Sequence, residues 1–307
     1  MKFQSRALRH FDAIRRAGSI RQAARQLHIS PSALNRQLLA FESLIGSPLF
    51  ERLPTGLQLT PAGEVLARHA IHVMQDEERM SQELQALDGL QSGHVGLVTV
   101  EALTHAFVPT LLGRMAERHP RVTFSVGISG SKRAVERVID GSADIAIGFV
   151  HQRNPELRQL AVASFDLGVV ARPSHPLASM KSVRFSHCMR FPMVLPAAEL
   201  TLREALEPLL AAQVEPPEVI LETGSFELMK RIALQGRGIA FVNRFGIEDE
   251  LAKRRLVHIP LKGAAPSLLG VYVRARRSLP PAVTAFCELT VAHMQALAAT
   301  SLAARQQ

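Results

Sequence analysis

The chain has 307 residues, 36 Lys plus Arg against 27 Asp plus Glu, and 47% hydrophobic side chains. That balance belongs to a folded protein of two or three domains and excludes disorder and collagen-like repeats. Charged residues make up 21%, no uninterrupted apolar run approaches the roughly 20 residues of a spanning helix, and the first residues alternate Arg with apolar side chains, so neither a membrane partner nor a secretory leader is expected and the chain reads as cytoplasmic.

The net charge of +9 is unevenly spread. Residues 1–57 carry nine basic and three acidic side chains, residues 58–90 carry two and six, and the remainder is basic again. A basic segment suits a polyanionic partner and an acidic one does not, so the three segments have different tasks.

Ala7, Leu8, Phe11, Ile14 and Ala17 recur at helical spacing, and Gly18 ends the pattern, which predicts a helix over about residues 3–17. Ser19 is placed to cap a second helix through Ile20, Ala23, Ala24 and Leu27, whose alanines allow close approach of a neighbour. His28 and Ile29 make a turn. Ser30 and Pro31 then read as N-cap and first residue of a third helix, with Ala33, Leu34, Leu38 and Phe41 inward. The stretch Gly46–Thr60, with Pro54, Thr55 and Gly56 at its centre, predicts a small two-stranded wing. Thr60 and Pro61 open a long helix running to about Leu90; at 1.5 Å per residue, some 30 residues make a rod of about 45 Å. Along it Val65, Ala70, Val73, Met80, Leu84 and Leu87 form a narrow apolar seam between acidic residues, the pattern of a helix that pairs with a second copy of itself. Gln91, Ser92 and Gly93 form a hinge.

From Val95 onward, short β-rich runs alternate with amphipathic helices, which predicts a parallel α/β sheet. Strands are expected at Val95–Val100, Val122–Ile128 and Asp144–Val150, with helices at Phe107–Arg118 and Ser131–Asp140 between them. The pattern resumes at Leu167–Ala171, Met193–Leu195, Leu202–Leu210, Val219–Leu221, Phe226–Leu234, Ile239–Val242 and Leu269–Arg274. So long a stretch exceeds one compact sheet, so two subdomains with a ligand-sized cleft are expected.

Enzyme signatures are weak, and no catalytic residue, metal or cofactor is expected. Ser129 and Lys132 fit Ser-x-x-Lys without the companion motifs that give it meaning. Gly236 and Gly238 make half a dinucleotide fingerprint and read better as a helix cap and a strand start. His69 and His72 lack a third metal ligand nearby in sequence. Cys188 and Cys287 stand far apart and read as buried reduced thiols. The helix-turn-helix pattern is more specific, because caps, small-residue packing, turn length and charge agree over residues 19–44. It would put the third helix in the major groove of double-stranded DNA with Pro31, Ser32, Asn35 and Arg36 on its leading turns.

Leu8, Phe11, Gly18, Ser19, Ala23, Ala24, Leu27, Ser30, Ala33, Leu34, Arg36, Glu42, Gly46, Leu49, Phe50, Arg52, Leu59, Thr60, Ala62 and Gly63 stand in the register of one DNA-binding pattern. By these residues the chain resembles the LysR-type transcriptional regulators over its whole length. The resemblance implies an N-terminal winged helix-turn-helix (residues 1–60), a dimerising linker helix and hinge (61–91), and a C-terminal α/β effector domain (92–307). That domain would consist of two Rossmann-like subdomains, one of residues 92–162 with 267–307 and one of 163–266, like a type 2 periplasmic binding protein. It further implies control of transcription by a small-molecule effector, a homodimer or tetramer, contact with RNA polymerase, and an interrupted-dyad operator. The family pattern has Gln where Pro31 stands and Ser where Asn35 stands, and a Gln can make the two hydrogen bonds to an adenine edge that Pro31 cannot.

On this basis Ser30, Pro31, Ser32, Asn35 and Arg36 are expected at the bases, Arg52 and Thr55 on the backbone from the wing, and Arg21 and Arg25 on further phosphates. By the same resemblance, the effector would meet Glu101, Ala102, Leu103, Thr104, Gly130, Ser131 and Phe149 from one lobe. The other lobe would add Leu195, Thr201, Thr223, Ser225 and Phe226. Helix starts at Thr104 and Ser131 favour an anionic effector such as a small carboxylate, whereas Glu101 would repel one. The competing reading is a solute-binding or enzymatic α/β module fused to a helical protein-interaction domain.

Overall fold

A computed structural model describes residues 6–54, 56–86, 92–150, 154–276 and 278–305. They form two compact units that divide after residue 87. Expectations for Thr55, Leu87 and Gln91 fall outside the described residues.

In the first unit, α1 (Arg6–Ala17), α2 (Ile20–Leu27) and α3 (Pro31–Ile45) pack on a core of Phe11, Ile14, Ala23, Ala24, Leu34 and Leu38. Ser19 and Ser30 cap α2 and α3 by accepting from the Gln22 and Ala33 N–H groups. Between them His28 adopts φ 55°, the left-handed conformation that ends α2 and makes the turn tight. The wing is the antiparallel pair β1 (Phe50–Leu53) and β2 (Gly56–Leu59). It is held to α3 by Glu42, whose carboxylate accepts from the Leu49 and Phe50 N–H groups at 2.7 and 3.3 Å. Thr60 caps α4 (Pro61–Ala86), accepting from the Gly63 N–H and donating to the Pro48 carbonyl. A Cβ at Gly63 would lie 2.1 Å from the Leu49 carbonyl oxygen, so only glycine lets α4 start there. The expected α4 seam divides: Ala70 is buried in the winged-helix core, while Val65 and Leu84 are 60% and 57% exposed.

The second unit opens with β3 (Gly93–Thr99), a 3₁₀ turn at Glu101–Thr104, α5 (Phe107–Arg118), β4 (Val122–Ile128), α6 (Ser131–Ile139), β5 (Ile145–Phe149) and β6 (Leu157–Phe165). It continues through β7 (Gly168–Ala171), β8 (Val183–Arg184), α7 (Phe185–Cys188), β9 (Met193–Pro196), α8 (Thr201–Ala211) and β10 (Val219–Thr223). It ends with α9 (Phe226–Gln235), β11 (Ile239–Val242), α10 (Glu248–Ala252), β12 (Val257–Lys262), β13 (Ser267–Arg274) and α11 (Pro281–Arg305). Two sheets result, β4-β3-β5-β13-β6 in lobe I and β10-β9-β11-β7-β12-β8 in lobe II. The chain passes between them after β6 and again after β12.

The sheets are mixed where a parallel arrangement was expected. β13 runs antiparallel to β5 and β6, and β7 antiparallel to β11 and β12. Parallel neighbours need a crossover of a dozen or more residues, and strands that enter a lobe directly from the other arrive without one. β6, β12 and α11 were not anticipated. The edge strand β6 mixes polar and apolar residues, and its first six positions are at most half-buried. In α11, Pro281–Ala299 is apolar over a length that could cross a membrane, yet Val283, Phe286, Leu289 and Met294 are buried in the core of the lobe I sheet. That core continues from Leu97 and Ile147 of lobe I to Val194, Met229 and Val242 of lobe II. Cys188 and Cys287 are buried free thiols, each pushed up to about 12 by burial and so unreactive at neutral pH.

At the join of β7 and β12, a Cβ on Gly168 would lie 2.5 Å from the His258 ring, so the ring needs that glycine. His258 Nε2 lies 3.1 Å from the Val242 carbonyl, to which the neutral ring donates. Loss of water around the ring, with Arg244 nearby, lowers its pKa from 6.5 to about 4 although the Val242 bond and Asp166 oppose this. The folded ring is therefore neutral where the unfolded one is protonated, so its stabilising contribution is complete above pH 6.5 and is lost as pH falls toward 4. Thermal melts of the wild type and His258→Gln across that range should show a flatter pH dependence for the variant; equal slopes would assign the acid sensitivity elsewhere.

Candidate functional site

Two surfaces have the chemistry of sites, one in each unit. In the first, α3 turns Leu34 and Leu38 inward, which leaves Pro31, Ser32 and Arg36 exposed along its outer face. Arg21 and Arg25 of α2 and Arg52 of the wing are also exposed. Asn35 is half-buried, and its Oδ1 accepts from Arg52 Nη2 at 3.2 Å, which ties the wing to α3 and leaves the amide NH₂ to donate. The Ser30 hydroxyl is occupied in capping α3 and lies 3.3 Å from Ser32 Oγ. Thr55 lies outside the described residues. This face is cationic through Arg21, Arg25, Arg36 and Arg52, and is built from α2, α3 and the strand pair of the wing. Such a surface fits a groove flanked by phosphates.

In the second unit a cavity of about 310 Å³ lies between the lobes. Of the expected effector residues, Glu101, Ala102, Gly130, Ser131, Phe149, Thr201 and Phe226 line it. Leu103 and Leu195 do not; they are fully buried in the cores of their lobes, because a leucine at the end of a buried strand or turn has an apolar pocket to fill. Thr104 and Thr223 act locally instead, and Ser225 caps its helix while facing lobe I. The Thr104 hydroxyl donates to the Glu101 carbonyl, Thr223 Oγ1 accepts from the Ser225 N–H, and Ser225 Oγ accepts from the Leu228 N–H as the cap of α9. Ser131 Oγ accepts from the buried Phe149 N–H at 3.0 Å, fixing the start of α6 against the end of β5.

Three helix starts meet this cavity, those of α6, α8 and α9, and they differ. Among the described residues no side chain caps α6, whose N-cap is Gly130, or α8, whose N-cap is Leu200, and Ser129 Oγ beside α6 is buried without a hydrogen-bond partner. The start of α9 is fully engaged, since Glu101 from lobe I accepts from its Phe226 N–H at 2.6 Å. Farther along the cleft Lys132 of α6 pairs with Glu204 of α8 at 2.7 Å, so the Ser129–Lys132 pair makes no nucleophile-and-base contact. Behind α9, buried Lys230 joins Glu227 and Glu250 and donates to the Gly246 carbonyl. Burial raises the Glu227 pKa, but hydrogen bonds and charges from Lys230 and Arg231 outweigh it, and the carboxyl is held below its usual range.

Sequence reasoning missed Ser129 as a lining residue, along with Val100, Ile128, Leu200, Leu202, Met229 and Asn243. Ser129 adjoins residues that were singled out, so its position was within reach; Asn243 follows a strand and carried no signal. A larger cavity of about 620 Å³ between α5, α10 and α11 was not anticipated at all. Its walls are mostly apolar, including Phe107, Phe165 and Phe245, with Thr110, Arg244, Glu248 and His293 as its polar members.

Residues 5–64 match the family described as bacterial regulatory helix-turn-helix protein, lysR family, and residues 88–295 match the LysR substrate binding domain. The RuBisCO operon transcriptional regulator of Allochromatium vinosum is 28% identical over 293 residues, covering 95% of this chain and 96% of that protein. Among solved structures, full-length CbnR complexed with its target DNA aligns over 96% of this chain and 100% of its own, at 20% identity and a TM-score of 0.62. The effector binding domain of QuiR in complex with shikimate covers 67% of this chain and 98% of its own, at 18% identity and a TM-score of 0.57.

The Ser131 hydroxyl has a structural task that can be measured. Ser131→Ala leaves the buried Phe149 N–H without an acceptor and should destabilise the second unit by about 1–3 kcal/mol in denaturant unfolding. Wild-type stability in the variant would mean that the Phe149 amide finds another acceptor.

Proposed function

Because this chain belongs to the LysR family of transcriptional regulators, with a helix-turn-helix DNA-binding domain and an effector-binding domain, we propose that α3 reads operator DNA and that a small anion in the interlobe cleft controls it. Ser32, Asn35 and Arg36 read base edges, Arg52 and Thr55 hold the backbone from the wing, and Arg21 and Arg25 contact phosphates. Ser30 and Pro31 set the helix start against the groove. What supports this is the exposure of those side chains on one face of α3 while its apolar face fills the core. CbnR, which shares the fold, was solved on its target DNA.

The observation that carries the effector reading is the uncapped start of α6 beside the unpartnered Ser129 hydroxyl. First-turn N–H groups attract an anion, and the Ser129 hydroxyl is free to donate to it. QuiR binds shikimate, a carboxylate, in its effector domain. The protein works in the cytoplasm as a homodimer through α4, on which Val65 and Leu84 are exposed, and assembles further into a tetramer that contacts RNA polymerase. A two-fold dimer calls for an interrupted-dyad operator. The functional boundaries are residues 1–60 for DNA binding, 61–91 for pairing and 92–307 for sensing, the last comprising 92–162 with 267–307 and 163–266. Effector binding acts on DNA only through a difference in affinity between two arrangements of the dimer.

A gel shift on the DNA upstream of this protein's own gene should give a specific complex that weakens steeply with salt. Replacing Arg36 by Ala should cost about 1–3 kcal/mol and relax preference at one base pair per half-site. Unchanged affinity and preference would remove Arg36 from the reading set, and no preference of the wild type for any genomic fragment over random duplex would end the regulator reading.

A further inference from the structure

The start of α9 faces the cleft from lobe II, and the group that satisfies it comes from lobe I. Glu101, on the turn after β3, has a carboxylate that accepts from the Phe226 N–H at 2.6 Å, from the Ser225 hydroxyl at 3.3 Å and from the Glu227 N–H at 3.4 Å. His105 of the same lobe reinforces the contact, with its ring centroid 5.9 Å from that of Phe226 and its Nε2 3.6 Å from Glu227 Oε2. An anion supplied by the protein thus sits where a helix start would otherwise attract one from solution. With three donors on its two oxygens, this carboxylate is not waiting for a ligand cation. Among the described residues the starts of α6 and α8, on the same cavity, have no such group, and Ser129 Oγ beside α6 is buried and unpartnered.

We propose that Glu101 is the specificity-determining residue of the cleft: it fills the α9 start with its own carboxylate and so excludes a second acidic group from that end of a ligand whose first is held at α6. The inference rests on the reading of the cleft as an anion-binding effector site. A ligand bearing a second acid at the α9 end meets a like charge in a partly buried space, or must evict Glu101 and break its three hydrogen bonds. With about 310 Å³ available, a small ligand long enough to span the cavity brings its far end close to Glu101. The residue that seemed to argue against an anion instead sorts anions by the number and position of their charges.

The test is calorimetric titration of the full-length wild type and Glu101→Gln with two matched pairs, butyrate against succinate and valerate against glutarate. The wild type should prefer each monoacid by about tenfold or more, and Glu101→Gln should shrink that ratio to within about threefold, since the variant keeps the shape and loses the charge. Hydrogen exchange supplies a readout independent of any ligand, in which the Phe226 and Glu227 amides exchange faster in the variant. Monoacid binding with the same discrimination in both proteins overturns the role of Glu101 alone. Exchange that does not change in the variant overturns the carboxylate cap. Failure of all four acids to bind the wild type overturns the anion reading and this inference with it.

Discussion

The first backbone N–H groups of a helix have no carbonyl partner within it, and much of this molecule is organised by what each helix start uses instead. α2, α3 and α4 use a hydroxyl from the preceding residue, Ser19, Ser30 and Thr60. These caps are local, so they fix where each helix begins without consuming surface, and the outer face of α3 stays clear. α9 uses its own Ser225 together with a carboxylate from more than a hundred residues earlier. Among the described residues α6 and α8 at the cleft, like α5, α7 and α10, use no side chain. One physical requirement therefore has three solutions, and two of them meet at the cleft.

Local solutions were legible in the sequence and distant ones were not. Ser30 followed by Pro31 announced the start of α3, because a cap depends on neighbouring residues only, and Gly46, which opens the stretch read as the wing, is the left-handed residue at which α3 stops. The same holds for α5 and β4, whose bounds at Phe107–Arg118 and Val122–Ile128 follow directly from a change of period. The direction of β6 and β13 depends on where the chain crosses between lobes, which no window of adjacent residues contains. Within the cleft, residues at or just after strand ends, such as Gly130, Ser131 and Phe149, could be placed by the family resemblance together with the position of strand ends. Leu103 and Leu195 could not, since whether a leucine at a strand end lines a cavity or fills a core turns on one peptide's rotation.

Glu101 illustrates the limit most clearly. In the sequence it is an acidic residue at a place where an anion is wanted, and charge counting sets it against the ligand. In the structure it is satisfied by the amides of Phe226 and Glu227, so its charge is spent on a dipole and not presented whole to the cavity. The same applies to Lys132, which reads as half of a catalytic pair until Glu204 is seen to hold its ammonium. A charge has no functional meaning apart from its partner, and the partners of both residues lie in the other lobe.

That both partners lie in the other lobe bears on how binding could move anything. The hydrogen bond that Glu101 accepts from α9 and the ion pair of Lys132 with Glu204 exist only while the lobes are together, so the juxtaposed arrangement is stabilised before any ligand arrives. Their contributions differ, because Glu101 bonds to partly buried amides whereas Lys132 and Glu204 are 66% and 42% exposed and are screened by water and salt. A ligand that only fills the cavity would bind that arrangement without changing much. One that competes with Glu101 for the α9 start, or binds at α6 and bears on Thr201 across the cleft, changes the balance between arrangements, which is the condition for a signal. The carboxylate that selects the ligand would then also set the threshold the ligand must overcome.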